Sequence, residues 1–176
     1  MNLEFVSALK NAASTVSVVT SNGGNGMAGA TISSFCSVSA SPAILLACIF
    51  KKTPLDDKIK SNKKFCINLL SEKQIDISNI FAGREMPASK NKFDLVEWSA
   101  GKFNQPIITG SVASFECKVS KIVDGETHNI FIGNVISIFD DPGVEEPLIY
   151  CKQNYAKYKN FDNSEIGLNK LMLEIL

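Results

Sequence analysis

Arginine is almost absent from this chain, and the charges of the whole sequence cancel. Arg84 is the one arginine among 18 basic residues, and 18 acidic residues balance them in a chain of 176 residues. Proteins that bind nucleic acids usually carry a basic surplus and use arginine to contact phosphates and base edges. The composition therefore argues against nucleic acid as a partner.

Long apolar runs are missing as well. The longest strongly apolar run is Ala43–Phe50, which has eight residues, whereas a membrane-spanning helix needs about 20. The N-terminal residues Met1–Phe5 lack the basic start and the apolar core of a signal peptide. We therefore expect a cytoplasmic protein that does not insert into a membrane.

Histidine and closely spaced cysteines are scarce, which limits the chemistry that side chains can supply. His128 is the single histidine, and no C-x-x-C motif occurs. Five cysteines lie far apart in apolar segments, at Cys36, Cys48, Cys66, Cys117 and Cys151. Such a pattern is typical of buried thiols in a reducing compartment, and no metal site is expected. Because a Ser-His-Asp arrangement, a Walker lysine and an H-E-x-x-H motif are also missing, an enzyme built on this chain would need a cofactor.

What the sequence does contain is a series of short β-strand signals joined by turns. Asn22–Gly26 and Asp124-Gly125 are hairpin signals between apolar, β-branched segments. The predicted strands are 16–21, 27–31, 35–39, 43–50, 64–70, 111–123, 127–139 and 148–151, the last of which would close the sheet. The predicted helices are 3–14, 54–61 and one that follows the capping-box spacing Ser71–Gln74 and ends at Gly83.

The order of these elements predicts a mainly β fold with helical additions (α+β), built as an antiparallel β-barrel. Ala43–Phe50 is apolar on both faces and is expected to be a central strand covered on both sides. Residues 84–106 form the one long irregular stretch, which predicts a functional loop or a subunit contact. A doubly wound α/β fold is the alternative, but the glycines at 23, 24 and 26 do not have the spacing of a dinucleotide-binding turn.

The chain is expected to form one domain over residues 1–160, followed by a tail helix over residues 161–176. In this tail, four apolar residues fit one helical face, namely Leu168, Leu171, Met172 and Ile175. The tail helix would pack either on its own barrel or on a second copy of the chain.

Two segments are unusual for a β-barrel and are candidates for ligand binding. Residues 30–39 carry five hydroxyl side chains within nine positions, which suits either an exposed strand or a polar planar ligand. Residues 50–54 combine two lysines, a threonine and a helix start, and helix N-termini favour anions such as phosphate. An ordinary helix cap beside two solvated lysines explains the second segment equally well.

These segments belong to an ordered set of motifs that extends over most of the chain. The set comprises Ala30–Ser39, Ser41-Pro42, Phe50–Thr53, Phe65–Ser71, Gln74, Phe81–Gly83, Lys92-Phe93, Trp98, Pro106, Gly110–Cys117, His128–Val135 and Pro147–Tyr150. Over roughly residues 3–158, this order resembles the flavin reductase-like family. The family has an FMN-binding split β-barrel and includes the small reductase components of two-component flavin monooxygenases.

The resemblance implies a role for each matching segment. Thr31, Ile32, Ser33 and Ser34 would lie along the isoalloxazine ring and the ribityl chain. The phosphate would be held by the segment after the apolar strand, so that the cofactor-binding set includes Ile49, Phe50, Lys51, Lys52 and Thr53. Phe81, Ala82 and Gly83 would lie close to the flavin, and His128 would be the catalytic residue on the nicotinamide side. Glu126-Thr127 departs from the Gly-Asp of many relatives, so the resemblance gives no expectation about the local turn or about a nicotinamide contact there.

The function implied is that of an NAD(P)H-dependent flavin reductase. FMN, or alternatively FAD, would accept a hydride from NADH or NADPH, and the reduced flavin would pass to a partner monooxygenase. A homodimer is implied as well, with no nucleic acid and no membrane as partners. The alternatives are an FMN-binding electron carrier of the same fold without reductase activity, and a small barrel that binds ligands without catalysis.

Overall fold

In the computed structural model, residues 2–24, 26–84, 91–143 and 146–159 are described, and they form antiparallel strands with three α-helices. The helices are α1 (Leu3–Leu9), α2 (Pro54–Asn62) and α3 (Ile75–Ala82), and a 3-10 turn spans Lys92–Asp94. The strands are β1 (Ser14–Thr15), β2 (Ser17–Gly23), β3 (Gly26–Ile32), β4 (Phe35–Ala40), β5 (Ala43–Phe50), β6 (Lys64–Leu69), β7 (Trp98–Ala100), β8 (Pro106–Ile108), β9 (Ala113–Gly125), β10 (His128–Asp140), β11 (Ile149–Cys151) and β12 (Asn154–Ala156).

Seven of these strands make the main sheet, in the order β3-β2-β6-β9-β10-β5-β4. Two small sheets, β1-β11-β12 and β7-β8, flank it. Every pairing between the described strands is antiparallel. The predicted class, a mainly β antiparallel fold with helical additions, is confirmed, and the doubly wound alternative is not the fold of this chain.

Several predicted elements need correction. The segment predicted to close the main sheet, 148–151, instead pairs with β1 and β12 in a separate three-stranded sheet, because β1 is a short strand of its own between α1 and β2. The irregular stretch 84–106 contains a 3-10 turn and the strand β7, and β8 begins at its last residue, Pro106. The β9–β10 turn is Glu126-Thr127 rather than Asp124-Gly125, since Gly125 already pairs with His128.

The predicted capping box forms only in part. Helix α3 begins at Ile75 with Gln74 as its N-cap, so Ser71 lies one turn too early to cap it. The Gln74 side chain still accepts a hydrogen bond from the Ser71 backbone N–H at 3.0 Å, which is half of the reciprocal pattern. The predicted helix end is confirmed, because Gly83 adopts a left-handed conformation with φ of 73°.

Strand β5 is covered on one face only, contrary to the prediction of a strand buried on both sides. Its inner face, formed by Leu45, Ala47 and Ile49, is buried against the main core. Its outer face, which carries Ile44, Leu46 and Cys48, is half-buried within one chain. A run of apolar residues cannot by itself distinguish a strand covered by its own chain from one that a second molecule covers.

Two clusters of buried side chains hold the fold together. One lies between α2 and the inner face of the main sheet, around Ile59, Phe65 and Phe131. The other lies under α3 and includes Phe81 and Phe93, and Trp98 packs against it. Trp98 contacts Phe93 edge to face, with ring centroids 5.9 Å apart, so this part of the 84–106 segment packs on its own chain.

Glu116 is a fully buried carboxylate that fixes the segment before β8. It accepts hydrogen bonds from the backbone N–H groups of Phe103 at 3.0 Å and Gln105 at 3.1 Å. A Cβ on Gly101 would lie 2.5 Å from this carboxylate, so the close approach requires glycine. The N–H groups compensate for burying the charge.

The predicted tail helix, 161–176, lies outside the described residues. None of the helices within the described ranges has the length and apolar character that a membrane crossing requires.

Candidate functional site

An open cleft of about 560 Å³ lies beside β3. Its walls come from five parts of the chain, namely β3 with the two residues after it, the end of β5, the start of α2, the end of α3 with residues 91–93, and His128. The antiparallel pairing of β10 with β5 brings His128 opposite Phe50. A cleft of this size and shape fits a ligand of cofactor size.

Hydroxyl groups line the cleft along its β3 side. Thr31 Oγ1 donates to the Ser78 carbonyl at 2.7 Å, and Ser34 Oγ donates to the Cys48 carbonyl at 3.2 Å. Because their protons are engaged within the protein, these two oxygens can serve a further partner only as hydrogen-bond acceptors. Ser33 is exposed beside them.

The start of α2 closes the cleft at the end of β5. Thr53 caps the helix, since its Oγ1 accepts from the Asp56 N–H at 3.4 Å and donates to the Phe50 carbonyl at 2.8 Å. Asp56 is buried and bonded to Lys60 and to the Asn129 side chain, which fixes α2 on β10. Pro54 occupies the first helical position and has no N–H to offer.

Lys51 and Lys52 lie next to the cleft rather than in its lining. The Lys51 ammonium pairs with Asp124 at 2.5 Å, and this hydrogen bond lowers the pKa of the Asp124 carboxyl. Lys52 is exposed. Both lysines therefore contribute positive charge near the cleft from its solvent side.

His128 stands at the edge of the cleft with its ring held from two sides. Its Nδ1 is 2.8 Å from Thr127 Oγ1, and its ring centroid is 5.3 Å from that of Phe50. Glu126 turns the chain with φ of 63°, so this turn forms with a non-glycine residue in the left-handed region. The imidazole is half-buried and reaches the cleft from β10.

The opposite wall is formed by α3 and the 3-10 turn. Gly29 allows Phe81 to approach β3 closely, because a Cβ there would lie 2.5 Å from the Phe81 ring. Lys92 reaches in from the 3-10 turn and donates to the Phe81 carbonyl at 2.8 Å. Burial lowers the pKa of the Lys92 ammonium.

The cleft has few groups that could act as acids, bases or nucleophiles. Its described lining contains no carboxylate, and its titratable side chains are Cys48, Lys92 and His128. Burial raises the pKa of the Cys48 thiol, so the thiol is protonated at neutral pH. Within the described ranges no group of three or more metal-ligating side chains could hold a metal ion. The cleft is therefore suited to binding a group that brings its own chemistry.

The fold brings together most of the residues that the sequence singled out. Lining the cleft are Thr31, Ile32, Ser33, Ser34, Ile49, Phe50, Thr53, Phe81, Ala82 and His128. Lys51, Lys52 and Gly83 lie beside it. Sequence reasoning missed the beginning of β3 and assigned no role to Asn91 or Lys92, although Lys92-Phe93 was among the matching motifs.

Comparison with known proteins gives one consistent match. The sequence profile described as "Flavin reductase like domain" matches residues 9–159. FMN reductase (NADH) RutF of Stutzerimonas stutzeri is 30% identical over 152 residues, which cover 86% of each chain. FMN reductase (NADH) RutF of Ancylobacter novellus is 32% identical over 152 residues, covering 86% of this chain and 82% of that protein.

Solved structures agree with the sequence matches. The NADH:FAD oxidoreductase SgcE6 of Streptomyces globisporus superposes with a TM-score of 0.81 at 28% identity, covering 90% of this chain and 93% of that one. A homologue of nitrilotriacetate monooxygenase component B from Mycobacterium thermoresistibile gives a TM-score of 0.82 at 28% identity, covering 89% of this chain and 86% of that one.

Proposed function

The chain belongs to the flavin reductase-like family, and on that premise we propose that it is an FMN reductase that uses NADH as its hydride donor. The observation that carries this proposal is the match to relatives named FMN reductase (NADH) over 86% of the chain. The cleft beside β3 is the binding site for FMN. FAD is the second flavin to consider, because one structural neighbour is an NADH:FAD oxidoreductase.

The residues of the cleft fit a flavin. The half-buried apolar side chains Met27 and Ala30 offer a surface for a planar ring, and the hydroxyl oxygens of Thr31 and Ser34 offer acceptors at its polar edge. No carboxylate in the described lining opposes an anionic ligand. Ile32, Ser33, Ala82 and Gly83 complete the proposed binding set around the ring and the ribityl chain.

Flavin supplies the redox chemistry of the site, since its ring accepts the hydride that a nicotinamide donates. The protein positions the two ring systems and excludes water between them. Phe50 is 43% exposed at the edge of the cleft, where an incoming nicotinamide can contact it. His128, held by Thr127 and Phe50, is proposed to orient the nicotinamide.

The phosphate end is proposed to lie toward the segment from Ile49 to Thr53. Thr53 lines the cleft directly, and the ammonium groups of Lys51 and Lys52 add positive charge from outside it. The attraction exerted by these exposed groups is long-range and is screened by salt.

Steady-state oxidation of NADH and NADPH tests the function, with FMN, FAD or riboflavin added to the purified protein. We expect oxidation that depends on added FMN and is faster with NADH than with NADPH. If the protein binds FMN but oxidises neither nicotinamide, it is an electron carrier. If it binds no flavin, the assignment is overturned.

We further propose that the reduced FMN passes to a partner oxygenase. The support is the structural neighbour related to nitrilotriacetate monooxygenase component B, whose name describes one component of an oxygenase. The cleft is open, so a bound flavin can leave it. In a coupled assay, this protein with NADH and FMN should sustain a flavin-dependent oxygenase that is inactive with NADH alone.

A homodimer is proposed as the assembled form. The support is the outer face of the sheet, where Ile44, Leu46, Ile130 and Ile132 are half-buried side by side on paired strands. Exposed apolar residues continue this patch in β4 and β10, with Val38 exposed by 50% and Ile138 by 60%. A contiguous apolar face of this kind is typical of an interface between protein molecules.

The cytoplasm is proposed as the location. The five cysteines are free thiols, and Cys36 is exposed, which suits a reducing compartment. Cell fractionation with an antibody against the chain would test this placement.

A further inference from the structure

Lys92 is the lysine in the described lining of the cleft, and its surroundings are unusual for a lysine. Its Nζ donates to the Phe81 carbonyl at 2.8 Å and lies 3.4 Å from the Gly29 carbonyl. It also lies 5.8 Å from the centre of the Phe81 ring. The side chain thus reaches from the 3-10 turn to the seam between α3 and β3, which forms one wall of the cleft.

In the described part of the chain, the positive charge of this ammonium group is compensated by backbone carbonyls but not by an anion. None of the ion pairs formed among the described residues involves Lys92. Burial lowers the pKa of its ammonium group, and the described lining of the cleft contains no carboxylate that could offset the loss of water. An ammonium group has three N–H donors, and two backbone carbonyls leave one of them for a ligand.

The two lysines just after the end of β5 do not enter the cleft. Lys51 pairs with Asp124, and Lys52 lies in solvent. The start of α2 is a poor anion site by itself, because Pro54 has no N–H and Asp56 and Asp57 place carboxylates in the first turn. An anionic group that enters the cleft therefore finds its direct, desolvated partner on the opposite wall.

We propose that Lys92 makes the short-range contact to the phosphate of FMN, and this inference rests on the proposed function. Lys51 and Lys52 then draw the phosphate in through long-range attraction, while Lys92 binds it in the cleft. The two contributions differ in their response to salt, because a half-buried pair is screened much less than an exposed one.

Calorimetric titration of Lys92→Gln with FMN and with riboflavin tests the proposal. Glutamine keeps N–H donors for the two carbonyls but removes the charge. We expect FMN affinity to fall about ten- to hundredfold, at low and at high salt, because a hydrogen bond to a charged group is lost. Riboflavin, which lacks the phosphate, should bind within about twofold of the parent protein. Lys118→Gln, which removes one charge from an exposed position on β9, is the matched control and should change neither affinity.

The outcomes distinguish a failure of the proposed role of Lys92 from a failure of the reductase assignment. Equal losses for FMN and riboflavin, or no loss for either, overturn the role of Lys92 but leave the reductase assignment intact. A parent protein that binds neither flavin overturns the assignment itself.

Chemical labelling of the parent protein gives a second test that does not depend on how a variant folds. Acetylation of Lys92, followed by mass spectrometry, should be slowed more by FMN than by riboflavin at equal saturation. Equal protection by the two flavins would place the phosphate elsewhere.

Discussion

Under the proposed function, the imidazole of His128 orients the nicotinamide rather than supports the fold. It is half-buried, and Thr127 is its hydrogen-bond neighbour. We predict that His128→Ala slows the reduction of FMN by NADH about tenfold to a hundredfold, a loss of about 1.4–2.8 kcal/mol in the transition state. FMN affinity and thermal stability should change little.

Single-turnover reduction, followed by flavin absorbance in the absence of oxygen, measures this step. Thr127→Val serves as a companion variant, because it keeps the imidazole and removes the hydroxyl that fixes it. Equal rates in His128→Ala and the parent protein would remove His128 from the site.

Lys51 and Lys52 should make the affinity for FMN depend on the salt concentration. Replacing Lys51 and Lys52 together by alanine should weaken FMN binding about tenfold at low ionic strength, because two charges near the phosphate are lost. The loss should shrink as salt is added, and riboflavin should hardly respond. The double variant Lys118→Ala and Lys121→Ala removes the same charge from β9 and is the control. If FMN and riboflavin lose affinity equally, the phosphate does not lie near Lys51 and Lys52.

The buried thiols make the fold sensitive to alkali. Burial raises the pKa of Cys117 from 9.0 to about 12, and it raises the pKa of Cys66 as well. Above pH 9 the unfolded chain releases these protons while the folded chain keeps them, so the free energy of unfolding should decrease from pH 9 toward pH 12. Urea unfolding at a series of pH values measures this decrease.

Cys117→Ala should show a smaller loss of stability over the same pH range. Cys36→Ala, at an exposed position, should behave like the parent protein. An identical pH dependence in Cys117→Ala and the parent would contradict the prediction.

At the residue level, sequence alone could identify hydroxyl and helix-start residues but not Lys92. Thr31 and Ser34 belong to an unusual run of hydroxyls, and Thr53 has a recognisable capping pattern. Lys92 is one of many lysines, and its position becomes distinctive only when the fold buries it against the carbonyl of Phe81. Its burial arises from packing between segments that are distant in the chain, which no local pattern records.

Among the elements, the contact of α3 with β3 sets the width of the cleft. Gly29 lies under Phe81 and Phe93, and a Cβ would lie 2.5 Å and 3.3 Å from their rings. We predict that Gly29→Ala destabilises the protein by about 1–3 kcal/mol through overpacking and weakens flavin binding, because α3 must move. Gly24→Ala, where a Cβ meets nothing within 4 Å, is the control.

Thermal unfolding and calorimetric titration of both variants measure these effects. The pair Gly29→Ala with Phe81→Leu should recover part of the stability, since leucine occupies less space over β3. A Gly29→Ala variant as stable as Gly24→Ala would show that α3 adjusts without cost.

The elements bounded by strong local signals were predictable, and those defined by distant partners were not. The β2–β3 hairpin and α2 follow from a glycine-rich turn and a Thr-Pro start. By contrast, β11 pairs with β1 across more than 130 positions of sequence, and β7 and β8 are only three residues long. Strands so short carry no periodicity, so long-range pairing decides whether they form.

For the molecule as a whole, the apolar outer face of β5 and β10 predicts the state of association. Sedimentation of the full chain should give a mass near twice 19.1 kDa at micromolar concentration. Leu46→Lys should shift this mass toward the monomer, because it places a charge in the centre of the face. Ile75→Lys, on the exposed side of α3, should leave the dimer unchanged. A parent protein that sediments as a monomer would contradict the homodimer.

The edge-to-face contact between Trp98 and Phe93 has an optical consequence. Trp98 is the single tryptophan of the chain, and Phe93, 5.9 Å from it between ring centroids, lines the cleft. A flavin in the cleft absorbs light in the range where indole emits, so it would accept the excitation energy of Trp98 at this short separation. The intensity of tryptophan fluorescence should therefore decrease in proportion to the fraction of clefts that hold a flavin. The indole of Trp98, which is separated from the cleft by Phe93, would thus report flavin binding in a protein that carries no label.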